Sequence, residues 1–437
     1  MRCTVKWSTG RVRVMLAATL FGAGPLGPAL AAPVLSLPQA QLHAQGAGAN
    51  AVLAGLRALD AHDWHAAESS FQEALRLEPR SWGAALGMAE LAAQRGEPVA
   101  AVDRWLEKAR GFAPDHPAVL RATASWSLRQ RRLPAAVDAL RKAVKAAPQD
   151  LAIKLELGEA LLAQRDGAAA EAVFRSVISS QPDQAGALTG LALSLAAQGR
   201  DQDALQAFEQ AARSAPKDPR ALLALARYQA SKRRIDEAIH ALDRLAAAVP
   251  DAPEAFLDKG DLLVMKNDTA GAIEAYRRAA GLGGGAVGVA EFRLGALYEA
   301  QGRLDEAEAA YRRVLQAQPD SYAALNNLAV LLIARKGQGG QAVDLARRAV
   351  ALAPSRPQAH DTLGWALRAE GKLDEALASV QRALAIDPKS ATYGYHQGAI
   401  LAQLGRKAQA RASLEAALKA SPQARWAGDA KDLLGRL

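Results

Sequence analysis

The small apolar positions of the chain recur at one long period. Alanine stands at Ala67, Ala101, Ala136, Ala170, Ala204, Ala238, Ala272, Ala307, Ala342, Ala376 and Ala410, in steps of 34 or 35 residues. Twelve residues earlier the chain has Gly55, Ala89, Ala124, Gly158, Ala192, Ala226, Gly260, Gly295, Gly364 and Gly398, with Ala329 in the same role. Four residues after the alanine comes a large apolar residue: Phe71, Trp105, Leu140, Phe174, Phe208, Leu242, Tyr276, Tyr311, Val380 or Leu414. Proline closes the unit at Pro79, Pro114, Pro148, Pro182, Pro216, Pro250, Pro319, Pro354, Pro388 and Pro422. Proline cannot continue the helical hydrogen-bond ladder and restrains the residue before it, so it ends a helix. Glycine marks the middle of several units, at Gly96, Gly199, Gly302, Gly371 and Gly405. Small residues at two fixed places let paired helices cross at short range. The bulky residue then fills the gap to the next pair. The pattern predicts an all-α solenoid of eleven helix–turn–helix repeats over residues 48–424.

Two places break the rhythm. Between Pro250 and Pro319 the closing proline is replaced by Gly281-Leu282-Gly283-Gly284-Gly285. Three consecutive glycines loosen the backbone, which allows either a hinge between repeats seven and eight or a longer surface turn. The units are therefore grouped as residues 48–284 (repeats one to seven) and 285–424 (repeats eight to eleven). Gly337-Gln338-Gly339-Gly340 lengthens the turn inside repeat nine. Residues 425–437 read as one further helix with Trp426, Ala430, Leu433, Leu434 and Leu437 on its apolar side, a cap for the last open face.

The first 31 residues read differently. Arg2, Lys6, Arg11 and Arg13 precede a short apolar run, Val14 to Phe21, and Ala29-Leu30-Ala31 offers small residues for cleavage after Ala31. Gly22, Gly24, Pro25, Gly27 and Pro28 interrupt the run well short of the ~20 residues of a membrane span. This predicts an export signal over residues 1–31, followed by a flexible lead-in over 32–47. The expected location is a bacterial periplasm, or outside the cell. The only cysteine, Cys3, leaves with the signal, so the mature chain has neither disulfide nor thiol chemistry. Four of the net +9 charges also leave, and both signs alternate along the helices that remain. That is the pattern of a solvated helix face rather than a nucleic-acid footprint, although weak attraction to acidic envelope polymers is compatible with it.

No arrangement of residues announces catalysis. The histidines form no His-Glu-x-x-His pair, and His62 and His65 with Asp60 and Asp63 lack metal-ligand spacing. No phosphate loop or nucleophile elbow occurs, so neither cofactor nor enzyme activity is expected. A binding surface is what remains.

These units resemble the tetratricopeptide repeat family. Leu294-Gly295-Ala296-Leu297-Tyr298, Ala307, Tyr311 and Pro319 fit its pattern, as do Leu157-Gly158, Ala170, Phe174 and Pro182, and Leu363-Gly364, Ala376 and Pro388. The resemblance implies a right-handed superhelix whose inner wall is made by the first helix of each pair. The residue three before its Gly or Ala then points into the groove: Val52, Leu86, Arg121, Leu155, Thr189, Leu223, Leu257, Phe292, Asn326, Asp361 and Tyr395. Seven of these are apolar or aromatic, and Trp365 is expected on the same side. Candidate partner-binding residues are Leu155, Leu223, Leu257, Phe292, Asn326, Asn327, Trp365 and Tyr395. The groove would hold a peptide or helical segment of another protein. The same side chains can instead pack against neighbouring helices. Family members that clamp a terminal carboxylate use Lys and Asn on adjacent helices; here Phe292, Ala296 and Asp361 stand near Asn326-Asn327, so no clamp is expected.

A narrower likeness concerns the last third. Asn326-Asn327-Leu328-Ala329, the glycine-rich turn, Ala342 to Pro354, Asp361-Thr362-Leu363-Gly364-Trp365 and Tyr395-His396-Gln397-Gly398 are similar to repeat proteins of exopolysaccharide production and export in Gram-negative bacteria. That likeness implies a scaffold for envelope machinery. The alternatives are a polysaccharide-binding protein, favoured by Trp365 and Tyr395, and an assembly factor for outer-membrane or cytochrome components.

Overall fold

In the computed structural model of the chain the described residues are 47–333, 335 and 338–437. The expected export signal and residues 32–46 of the lead-in lie outside them, as does Gly337. The described residues form 23 α-helices and no strand. They divide after Val249 into two compact units. The first contains α1 (Ala47–Asp60) with α2 (Trp64–Leu77), α3 (Trp82–Gln94) with α4 (Val99–Phe112), and α5 (Pro117–Arg129) with α6 (Leu133–Ala146). It continues through α7 (Leu151–Ala163) with α8 (Gly167–Ser180), α9 (Ala185–Ala197) with α10 (Asp201–Ser214), and α11 (Pro219–Ser231) with α12 (Ile235–Ala248). The second unit begins with α13 (Pro253–Met265) and α14 (Thr269–Gly281), α15 (Ala286–Ala300) and α16 (Leu304–Ala317), and α17 (Tyr322–Ile333) and α18 (Gly339–Leu352). It ends with α19 (Pro357–Ala369) and α20 (Leu373–Ile386), α21 (Ala391–Gln403) and α22 (Lys407–Ala420), and α23 (Ala427–Arg436). In each pair the first helix is helix A and the second helix B.

Local chemistry sets the helix ends. Every residue before a closing proline, from Glu78 and Ala113 to Asp387 and Ser421, leaves the helical region, as the proline ring demands of its neighbour. Its own N–H still reaches the carbonyl four residues back. Helix A ends differently, in a left-handed residue whose N–H reaches three residues back while the next N–H reaches five back. Gly96, Gly199, Gly302, Gly371 and Gly405 take that place at φ 70–75°. Arg131, Arg165 and Arg233 take it in other repeats, as do His62 and Asn267. At the triglycine, Gly283 and Gly284 are left-handed and α15 starts at once, inside the second unit. Gly339 and Gly340 belong to the first turn of α18, yet five residues still separate α17 from α18, against three between α1 and α2 or α5 and α6.

The helix-B alanines are fully buried in ten of eleven repeats, Ala67 and Ala136 through Ala410 all at 0% exposure. Repeat two departs from the expected register. Val102 (0%) and Leu106 (3%) fill the core there, while Ala101 and Trp105 are only half-buried. The cause is one extra residue: Glu97 stands between the left-handed Gly96 and the helix cap Pro98. Elsewhere the cap directly follows the left-handed residue, as Arg132 follows Arg131.

The bulky residue is gripped by two A helices. A Cβ at Gly55 or Gly87 would fall within 3.0 Å of the Phe71 ring, and one at Gly158 or Gly190 would do the same to Phe174. Each ring therefore lies under the helix A of its own repeat and that of the next. Tyrosine replaces phenylalanine at Tyr276 and Tyr311, and there a polar residue occupies the place of Gly87 and Gly190. Arg293 lies over the Tyr276 ring at 5.7 Å, and Asn327 donates to the Tyr311 hydroxyl at 3.4 Å. A buried hydroxyl must find a partner, and these repeats supply one. At the C-terminus α23 packs Ala430, Leu433, Leu434 and Leu437 with Tyr395 and Leu414. No helix among the described residues is long and apolar enough to cross a membrane.

Candidate binding face

The helix-A positions expected to line a groove are more enclosed than a bare apolar stripe. In the first unit Val52, Leu86, Thr189 and Leu223 are buried, and Arg121 and Leu155 are half-buried. In the second unit Tyr395 and Asp361 are buried, while Leu257, Phe292, Asn326, Asn327 and Trp365 are half-buried. The half-buried side chains thus spend most of their surface on neighbours and offer one edge.

What covers them follows a rule. The position three before the small residue meets, on the next helix A, the position two before it. Arg121 makes a bidentate ion pair with Glu156 in this way, and Asp361 accepts from or pairs with His396 Nδ1 at 2.7 Å. The hydrogen bond to Glu156 holds the Arg121 guanidinium above its ordinary pKa. Beside these positions the second unit carries a separate polar cluster. Asp261, 1% exposed, accepts from the Tyr276 hydroxyl at 2.6 Å and pairs with Arg293 at 2.9 Å. Burial pushes the Asp261 carboxyl up to about 6 and Tyr276 far above its usual range; Arg293 pulls Asp261 back down. One repeat on, the Tyr311 hydroxyl donates to Glu299 at 2.9 Å, and burial raises both groups.

The aromatic members gather at the end of the second unit. Trp365 stacks on His396 at 4.0 Å, lies 6.1 Å from Tyr395, and carries the Arg368 guanidinium 4.3 Å from its centre. Both groups lie against the Trp365 ring system and take up much of its surface. Tyr395 stacks in turn on Trp426 at 4.9 Å. Phe292 lies 5.8 Å from the Tyr311 ring and keeps an open edge.

Sequence reading missed a second set of charges, along the turns between helices A and B. Arg95 pairs with Glu68, Arg132 with Asp103, Arg200 with Glu171 and Lys232 with Asp201, each at 2.9–3.1 Å across adjacent repeats. In the second unit Arg335 meets Asp305 and Glu308, and Arg406 meets Asp374. Part of the alternating charge is therefore spent on inter-repeat ion pairs, visible in the sequence only as a recurring offset of about one period less a helix turn; other pairs, such as Arg312 with Glu308, lie within one helix. The His62 cluster has ordinary roles: His62 ends helix A, its ring meets Trp64 edge-on at 5.2 Å, and Asp63 caps α2. Among the described residues no group of three or more His, Cys, Asp or Glu is placed to hold a metal ion.

The profile of the tetratricopeptide repeat matches seven stretches, the first four of them overlapping: residues 52–117, 104–151, 122–185, 155–219, 223–287, 292–357 and 362–425. The chain belongs to the tetratricopeptide repeat family. No curated protein matches it. Among solved structures it is similar to the APC/C hetero-tetramer Cut9-Hcn1, with 13% identity, TM-score 0.41, and coverage of 90% of this chain and 96% of that one. It is also similar to YrrB, a TPR protein with an unusual peptide-binding site (24% identity, TM-score 0.39, 44% of this chain, 99% of that one). A third similar structure is the yeast Tom70 (13%, TM-score 0.37, 89% and 95%). Its repeats make this tetratricopeptide protein a scaffold for protein–protein interaction, in a family that is generally non-catalytic.

Proposed function

We propose that the second unit holds a segment of a partner protein along Leu257, Phe292 and Asn326, and that it does so as part of the exopolysaccharide machinery of a bacterial periplasm. The observation that carries the binding site is the half-burial of these three residues on successive A helices, α13, α15 and α17. A side chain already fixed by its neighbours loses little entropy when a ligand covers its remaining edge. Val289, 41% exposed on the same helix as Phe292, extends the apolar area. The export signal read over residues 1–31 motivates the location, and the likeness of the last third motivates the pathway.

Affinity capture from envelope extracts tests this reading with the parent chain and a Leu257→Asp, Phe292→Asp variant. The same proteins should be recovered with the parent and lost with the variant, and exopolysaccharide synthesis or export components should be among them. Recovery of outer-membrane or cytochrome assembly components alone would transfer the scaffold to those pathways. The polysaccharide-binding alternative would use Trp365, where a sugar ring would compete with His396 and Arg368 for the indole.

A further inference from the structure

Arg131, Arg165 and Arg233 hold one structural position in repeats three, four and six of the first unit. Each is the residue that ends helix A, in the left-handed region at φ 55°, 66° and 61°. Glycine takes this position in repeats two and five, at Gly96 and Gly199, as sterics favour. All three arginines are exposed, and their side chains have no hydrogen bond or ion pair among the described residues. Arg132 and Lys232, next in sequence to two of them, are each bound to a carboxylate of the preceding repeat, as is Arg200 beside Gly199. Helix dipoles do not explain the choice. The end of helix A favours a cation, but the start of helix B follows within two residues and opposes it. A residue kept in a costly backbone region without a partner points to a role outside the fold.

We propose that this edge of the first unit docks a linear polyanion of the acidic-polysaccharide class, with Arg131, Arg165 and Arg233 as its contact charges. Equivalent positions in stacked repeats fall in line along one edge, so a chain bearing an acid on each sugar can meet them in succession. Guanidinium groups suit carboxylates because their paired N–H donors match both oxygens. A membrane surface is a poorer fit, because none of the exposed large apolar side chains (Leu77, Val99, Val289, Leu304, Leu352, Ile386) lies in these three turns. A nucleic acid would want exposed rings for its bases. The aromatics at these turns, Trp126 and Tyr228, are buried with their polar atoms on Asp103 and Asp201. The strip belongs to the first unit, shares no residue with the proposed partner-binding set, and does not depend on that proposal.

The test uses the full-length chain and two triple variants, Arg131→Gly/Arg165→Gly/Arg233→Gly and Arg131→Lys/Arg165→Lys/Arg233→Lys. Sodium alginate is the polyanion probe, neutral dextran the control, and anionic phospholipid vesicles and single-stranded DNA the rival ligands. The parent should bind alginate at low salt and release it as salt rises, with no affinity for dextran. The glycine variant should bind alginate about tenfold more weakly and with a shallower salt dependence. It should also melt at a higher temperature, because its turns are relieved, so misfolding cannot explain the loss. The lysine variant should keep most of the binding. Parent-like alginate binding by the glycine variant would overturn the proposal, as would preference of the parent for vesicles or DNA over alginate.

Discussion

The grip on Phe174 can be tested by adding one methyl group. In α8 this ring is wholly buried, with the backbone of α7 at Gly158 on one side and that of α9 at Gly190 on the other. A Cβ at Gly190 would fall within 3.0 Å of three ring atoms, so either the ring leaves its rotamer or the helices separate. Overpacking of this kind costs about 1–3 kcal/mol, and the upper half applies because both sides of the ring are closed by backbone. Replacing glycine inside a helix returns about 1 kcal/mol through propensity. The net expectation for Gly190→Ala is a loss of about 1–2 kcal/mol. Gly111→Ala is the control, since that glycine is exposed in α4 with nothing near its missing Cβ. It should gain about 0.5–1 kcal/mol. Phe174→Leu removes the ring atoms in question, and repeats three and eleven already use Leu140 and Leu414 there. It should therefore rescue Gly190→Ala, with a coupling of at least about 1 kcal/mol in the double-mutant cycle. Urea unfolding followed by circular dichroism supplies the four stabilities. If Gly190→Ala were neutral, or if the two substitutions simply added, the two-helix grip would be wrong.

Other substitutions probe separate parts of the account. Val102→Asp should destabilise repeat two by several times as much as Ala101→Asp in thermal melts, because the extra turn residue puts Val102 in the core; equal effects would restore the unshifted register. Asp261 has its carboxyl raised from 3.8 to about 6 in the folded chain, so its favourable contribution is complete below pH 3.8 and is lost as pH rises through 6. That amounts to about 3 kcal/mol by linkage, and the stability difference between parent and Asp261→Asn should change by this order across the window. A difference constant with pH would remove the burial argument. Asp103→Ala strips partners from both the Trp126 indole and Arg132, and should cost about 1–2 kcal/mol by urea unfolding, more than the ~0.5 kcal/mol expected for the exposed pair of Arg406 with Asp374.

Much of the fold was legible because one spacing repeats eleven times. An alanine that recurs every 34 or 35 residues can be read without knowing what touches it, and the prolines mark where each helix B must stop. The reading failed where one added residue mattered: Glu97 is an ordinary polar residue in a turn, yet it rotates α4 by a full position and exchanges Ala101 for Val102. The left-handed turn glycines were apparent, whereas Arg131, Arg165 and Arg233 in the same conformation were not, because arginine carries no such signal. On the helix-A face the sequence pointed to positions but not to how far neighbours cover them. Arg368, three residues after Trp365 on the same helix, could have been anticipated against its ring, whereas His396 comes from the next repeat and could not. The ion pairs across repeats depend on two residues that satisfy one geometric offset, which a list of charges does not display.

The central claim is that the A helices of the second unit, not the outer B helices, meet the partner. Photo-crosslinking in intact cells addresses it directly, with a photoreactive residue placed at Leu257 or Phe292 and, separately, at the exposed Arg277 of α14. The account predicts protease-sensitive adducts from the first two positions and none from the third. Adducts from Arg277 alone would contradict it.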